Sequence, residues 1–125
     1  MRRRARVLIV DDNDTNRTIC AAICDMAGYA YEVAEDGQAA VAAVRTGGYD
    51  LVLMDIRMPR MDGLSATREI RALEGPESQV PIIAVTTEAG SEESRAYLQA
   101  GMVAVVGKPL DPKRLIETMQ AVLED

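Results

Sequence analysis

The 125-residue chain has no histidine, only two cysteines, no apolar run near the length of a membrane span, and fewer basic than acidic residues. Each shortage removes a class of function. Without histidine no Ser-His-Asp, Cys-His or imidazole general-base scheme can be assembled, and any phosphohistidine in this chain's activity must belong to another molecule. Cys20 and Cys24 stand in a helical stretch with Ile19, Ile23 and Ala27, a pattern of small core or boundary residues. A zinc site there would have to complete its ligand set with carboxylates. The 20 acidic against 14 basic residues give −6, and a negative body repels the phosphates that dominate nucleic-acid affinity, so DNA binding by this chain alone is not expected. The basic run Arg2, Arg3, Arg4 reads as a solvated tail or a small electrostatic docking element, and no function is assigned to it. The apolar run that follows is too short for a signal peptide or a membrane segment, so a cytoplasmic location is expected.

What is present has the make-up of one domain over 1–125, with 1–4 as its tail. At 48% hydrophobic and 27% charged residues, such a chain can bury about two thirds of the surface its unfolded form exposes. A strand followed by a helix occurs five times. Ala5 to Val10 is a β-branched run, after which Asp14 is expected to cap a helix reaching Ala27, with Gly28 beyond its end. Tyr29 to Ala34 is the second strand, and Asp36 caps a helix from Gly37 to Arg45. Leu51 to Met54 is apolar throughout and is expected at the centre of the sheet. Past a loop containing Pro59, a third helix is expected from Gly63 to about Leu73. The fourth strand is Ile82 to Val85, followed by a helix capped by Ser91 and ending at Ala100. The fifth strand, Val103 to Val106, precedes Asp111-Pro112, a strong helix start, and the last helix runs to about Leu123. This alternation predicts an α/β fold: a five-stranded parallel sheet of flavodoxin-like (βα)5 type, strand order 2-1-3-4-5, with helices on both faces.

Four apolar runs end on polar residues: Val10 on Asp11-Asp12, Met54 on Asp55, Val85 on Thr86, and Val106 on Gly107-Lys108. In a parallel sheet these positions converge on one edge, where open α/β sheets bind ligands. An Asp pair at a strand end also serves as a turn or cap, but with Asp55 added, three crowded carboxylates either take up protons or hold a hard cation, and oxygen ligands favour Mg2+. Lys108 and the Thr86 hydroxyl could then hold a phosphoryl group beside the cation. A carboxylate left free to attack phosphorus would form an aspartyl phosphate, and the central strand points to Asp55.

The motifs V-D-D-N (from Val10), M-D-I-R-M-P-R-M-D-G (from Met54), A-V-T (from Ala84) and K-P (Lys108-Pro109) resemble the receiver domain of two-component response regulators, and the resemblance covers essentially the whole chain. It implies Asp55 as phosphoacceptor, Mg2+ held by Asp11, Asp12, Asp55 and the backbone carbonyl of Arg57, Lys108 on the phosphoryl oxygens, and Thr86 as the switch hydroxyl. It implies a usually cis Lys108-Pro109 bond and a phosphoryl donor that is a histidine kinase or a histidine phosphotransfer protein. The chain is then a signalling phosphoacceptor that assists its own phosphoryl transfer and dephosphorylation, not an enzyme, and is a monomer or weak homodimer without nucleic-acid or membrane partners. In motif style it is most similar to single-domain regulators or hybrid histidine kinase receivers.

Two positions depart from that pattern. Val105 stands where many receivers carry a Tyr or Phe that swings with the Thr, so the signal is expected to travel through the Thr86–Gly90 loop and the fourth helix. Thr87 stands where Ala or Gly is common, and its branched side chain narrows the approach. Arg57 and Glu88 occupy positions that tune attacking water in the family, or form a surface ion pair. The face of the fourth helix, fifth strand and fifth helix, including Tyr97 and Val105, is expected to meet partners. A phosphorylation-independent interaction module is the competing reading. A flavin or nucleotide binder is disfavoured because the turn after the first strand, D-D-N-D-T-N-R, has no glycine to admit a pyrophosphate.

Overall fold

Five short apolar runs pair in parallel in a computed structural model that describes residues 4–124. The strands are β1 (Arg6–Val10), β2 (Ala30–Ala34), β3 (Leu51–Asp55), β4 (Ile82–Thr86) and β5 (Ala104–Gly107), in spatial order β2-β1-β3-β4-β5. The helices between and after them are α1 (Asp14–Ala27), α2 (Gly37–Arg45), α3 (Gly63–Arg71), α4 (Ser91–Gln99) and α5 (Pro112–Leu123), with a 3-10 turn at Pro76–Gln79. This is the expected flavodoxin-like arrangement. No helix among the described residues is long and apolar enough to cross a membrane.

The period-2 alternation of a strand decides which helices cover which face. Leu8, Val10, Val52, Met54, Ile82 and Ala84 point to one side, where α2, α3 and α4 supply Ala40, Val44, Ala66, Ile70 and Tyr97. Val7, Ile9, Leu51, Leu53, Ile83 and Val85 point to the other, against Cys20, Ile23 and Cys24 of α1 and Leu115 and Met119 of α5. Every residue of β3 is buried, as a central strand covered on both faces requires.

Several ends fall one or two residues from their expected places. Asn13, not Asp14, caps α1, accepting from the Asn16 N–H at 3.0 Å, and Asp14 is the first helical residue, ion-paired with Arg17. Ser91 is likewise the first residue of α4, behind a Gly90 cap that offers no side-chain bond. The third helix stops at Arg71, with the cap at Ala72. The fifth strand starts at Ala104, although the Val103 N–H already donates to Ile82. Arg2 and Arg3 lie outside the described residues. Arg4 does not stand free as a solvated tail: its guanidinium donates to the Gly28 and Tyr29 carbonyls at the end of α1.

Asp36 caps α2 as expected, accepting from the Ala39 N–H at 2.8 Å, and also receives the Arg60 guanidinium at 2.6 and 3.0 Å. The Ala39 hydrogen bond, then Arg60, hold its carboxyl below the usual carboxylate range. A depressed acid contributes stability above its unfolded pKa of about 3.9 and loses it as pH falls through the lower folded value. Asp36→Ala is therefore expected to cost about 1–2 kcal/mol at pH 7 and to lose less stability than wild type on acidification to about pH 3, both read by urea unfolding.

Candidate functional site

Strand register brings the polar termini together. Val10 pairs beside Met54, Asp55 beside Val85, and Thr86 beside Gly107, so the carboxyl ends of β1, β3, β4 and β5 lie level at one sheet edge. Asp11, Asp55 and Thr86 are 3%, 5% and 2% exposed, whereas Asp12 is open to solvent. Carboxylate oxygens of Asp11, Asp12 and Asp55 all lie within 4.8 Å of one another. Lys108 closes the group from the far side, its Nζ 3.2 Å from both Asp11 Oδ2 and Asp55 Oδ1. Its backbone N–H extends the sheet ladder by donating to the Thr86 carbonyl, and the Lys108-Pro109 peptide bond is cis.

Burial and the neighbouring Asp11 charge push the Asp55 carboxyl up to about 6, with Lys108 opposing them. Burial works against the Lys108 ammonium, but Asp55 and Asp11 outweigh it and raise its pKa. One ammonium thus only partly neutralises the cluster. The donors are all oxygen, two of the three carboxylates are withdrawn from water, and the residual charge is negative, which suits a small hard divalent cation. The cysteines do not compete for this role: burial pushes Cys20 up to about 11 and Cys24 up to about 12, so both are neutral core thiols.

Thr86 lies at the rim of the cluster with its Oγ1 accepting from the Glu88 N–H at 3.0 Å. The Glu88 carboxylate receives the Arg57 guanidinium, with contacts of 2.6 to 2.9 Å. The ion pair is therefore formed, bridging the loops that leave β3 and β4. Gly63 is required by space: a Cβ would sit 2.2 Å from the Asp55 carbonyl oxygen. That close seat brings the start of α3 against the strand that carries Asp55.

Two features were not read from the sequence. Arg17 donates to the Asp11 carbonyl at 2.8 Å, bracing the turn that presents both aspartates; only its place one turn into α1 hinted at this. Tyr97, expected on an open partner-facing surface, is 4% exposed and packed in the core, its hydroxyl donating to the Glu88 carbonyl at 2.9 Å. It sits inside because α4 has no other buried residue to dock it on the sheet. Val105 is half-buried and packs against the same cluster.

Comparisons with known proteins agree with this geometry. The family model described as response regulator receiver domain matches residues 7–120. The sensor protein GacS of Pseudomonas syringae pv. syringae is 41% identical over 119 residues, 94% of this chain but 13% of that protein. The chain thus spans a small fraction of the curated relatives it matches first. Among solved structures, the receiver domain of sensor histidine kinase PA1611 from Pseudomonas aeruginosa PAO1, with a magnesium ion coordinated in its active-site cleft, superposes with a TM-score of 0.89 at 38% identity, covering 98% of this chain and 100% of that one. Chemotaxis protein CheY4 of Vibrio cholerae gives a TM-score of 0.89 at 31% identity, with 97% and 100% covered.

Proposed function

Because this chain belongs to the response regulator receiver family of two-component signalling systems, we propose that Asp55 is its phosphoacceptor and that the donor is the phosphohistidine of a histidine kinase or histidine phosphotransfer protein. The family is one of signalling phosphoacceptors, not of classical enzymes. The observation that carries the assignment is the placement of Asp55: a buried carboxylate at the end of the central strand, beside two further carboxylates and 3.2 Å from an ammonium.

In the reaction an Asp55 oxygen attacks phosphorus, the O–P bond forms as the N–P bond to the donor imidazole breaks, and the imidazole leaves with that electron pair and takes a proton. Asp11, Asp12, Asp55 and the Arg57 carbonyl would hold Mg2+, which when bound offsets the charge on the phosphoryl oxygens. Lys108 already contacts the accepting carboxylate and needs only to follow a phosphoryl oxygen. Thr86 can turn its hydroxyl from the Glu88 N–H towards the new group, donating a hydrogen bond. The Arg57–Glu88 pair joins the loops that follow Asp55 and Thr86 and would set how readily water hydrolyses the aspartyl phosphate. The intact constellation weighs against a phosphorylation-independent module. Relatives that include sensor and hybrid histidine kinases suggest a receiver belonging to, or serving, such a kinase, and we place the chain in the cytoplasm as a monomer or weak homodimer.

Intact mass after incubation with acetyl phosphate tests this reading. A phosphoryl adduct that requires Mg2+ and maps to the peptide carrying Asp55 is expected; no adduct under conditions that preserve acyl phosphates would overturn it.

A further inference from the structure

Helix α4 buries a single side chain in the core. Tyr97 is the only buried residue of that helix, and Leu98 beside it is half exposed. The Gly90 cap adds no side-chain bond. The tyrosine belongs to the core cluster on that face of the sheet, and its hydroxyl donates to the Glu88 carbonyl at 2.9 Å. The Glu88 N–H donates to Thr86 Oγ1 at 3.0 Å. One residue of the β4–α4 loop therefore carries the bond to the hydroxyl at the cluster's rim on one side and the bond to the buried anchor of α4 on the other.

We propose that Tyr97 is the positioning residue through which Thr86 controls α4, by way of the Glu88 backbone, in the place left empty by the valine at position 105. This inference rests on Asp55 being phosphorylated. When Thr86 turns to the phosphoryl group, its oxygen is withdrawn from the Glu88 N–H, and the backbone of Glu88 is freed to rotate. Rotation carries the Glu88 carbonyl away from the Tyr97 hydroxyl, and α4 loses the polar half of its anchor. Val105 has no hydroxyl and cannot make or break such a bond. The Glu88 carboxylate is held meanwhile by Arg57, two residues past Asp55, so both loops of the site bear on the same residue. A cleft of about 420 Å3 bounded by Arg57, Met58, Leu64 and Tyr97 gives the ring and the loop room to re-seat.

Hydrogen–deuterium exchange on the full chain, with adduct formation followed by mass in the same samples, separates the possibilities. In wild type, phosphorylation is expected to speed exchange across 91–99 about fivefold, the effect of one net hydrogen bond on local opening. Tyr97→Phe keeps the ring and removes the hydroxyl. It is expected to label to the same extent, to show the faster exchange before phosphorylation, and to change less than about twofold afterwards. Ser94→Ala removes a different hydroxyl bond to the same loop, that to the Ala89 carbonyl, and is expected to keep the wild-type response. Labelled wild type with unchanged α4 exchange, or a Tyr97→Phe response equal to wild type, would overturn the proposal while leaving Asp55 as acceptor. Failure to form any adduct would remove both readings together.

Discussion

Asp55→Asn is expected to abolish the Mg2+-dependent phosphoryl adduct completely, and in EDTA at pH 7.5 to make the fold more stable by about 1–2 kcal/mol. The first effect follows because an amide oxygen is a poor nucleophile and the neighbouring carboxylates are differently placed: Asp12 is exposed, and Asp11 already accepts from the Asn13 N–H and from Lys108. The second follows from the sign of the Asp55 shift. Burial and Asp11 raise its folded pKa to about 6, so the folded state binds this proton more tightly than the unfolded chain does. Stability is then highest below the unfolded value of about 3.9, falls between that value and the folded one, and carries a constant cost above it. Asparagine removes the cost, less what is lost with the Lys108 contact. Intact mass and urea unfolding across pH 4 to 8 read both effects. An adduct on the Asn variant would place the acceptor elsewhere, and a loss of stability would mean that Lys108 compensates the cluster more fully than its geometry indicates.

The second large effect lies at the opposite end of the sheet. Arg71, at the end of α3, donates to Ser78 and Val80 carbonyls at 2.7 and 2.8 Å and to the Gly101 carbonyl at 2.7 and 3.2 Å. Its guanidinium joins α3, the segment entering β4 and the turn after α4. Burial lowers its pKa, and the desolvation is offset by bonds to three carbonyls otherwise in want of donors. Gly101 adopts a φ of +110°, and a Cβ there would lie 2.9 Å from Arg71 Nε, so the turn is shaped around the arginine. Arg71→Ala is expected to cost about 3–4 kcal/mol in urea unfolding, since hydrogen bonds to a charged donor are lost and buried carbonyls left unpaired. Arg71→Lys is expected to recover less than half, because one ammonium cannot reproduce the planar fork that serves three acceptors. A loss below about 1 kcal/mol for alanine would show that water replaces the guanidinium.

The same contrast between near and distant partners explains which features could be read in advance. Asp36 and Asp111 were found as caps because each accepts from an N–H two or three residues ahead. Asp14 and Ser91 were misplaced by one residue, since Asn13 and Gly90 are also acceptable caps and the choice depends on where the chain leaves the preceding strand. The site was readable through Asp11, Asp55, Thr86 and Lys108 because parallel strands bring their ends level. Tyr97 was not. A tyrosine in a polar helix reads as a surface residue until the sheet that receives it is known.

By itself the sequence determined the five strand–helix units, their parallel order, and the residue types that meet at one edge. Those follow from short-range periodicity, turn chemistry and the handedness of crossovers. The tertiary structure alone decided that Lys108 reaches both Asp11 and Asp55, that Arg57 pairs with Glu88, that Arg71 clamps three distant carbonyls, and that Tyr97 turns inward to hold the loop beside Thr86. These contacts join residues far apart in the chain, and their partners are fixed by ångström-scale packing that no local pattern encodes.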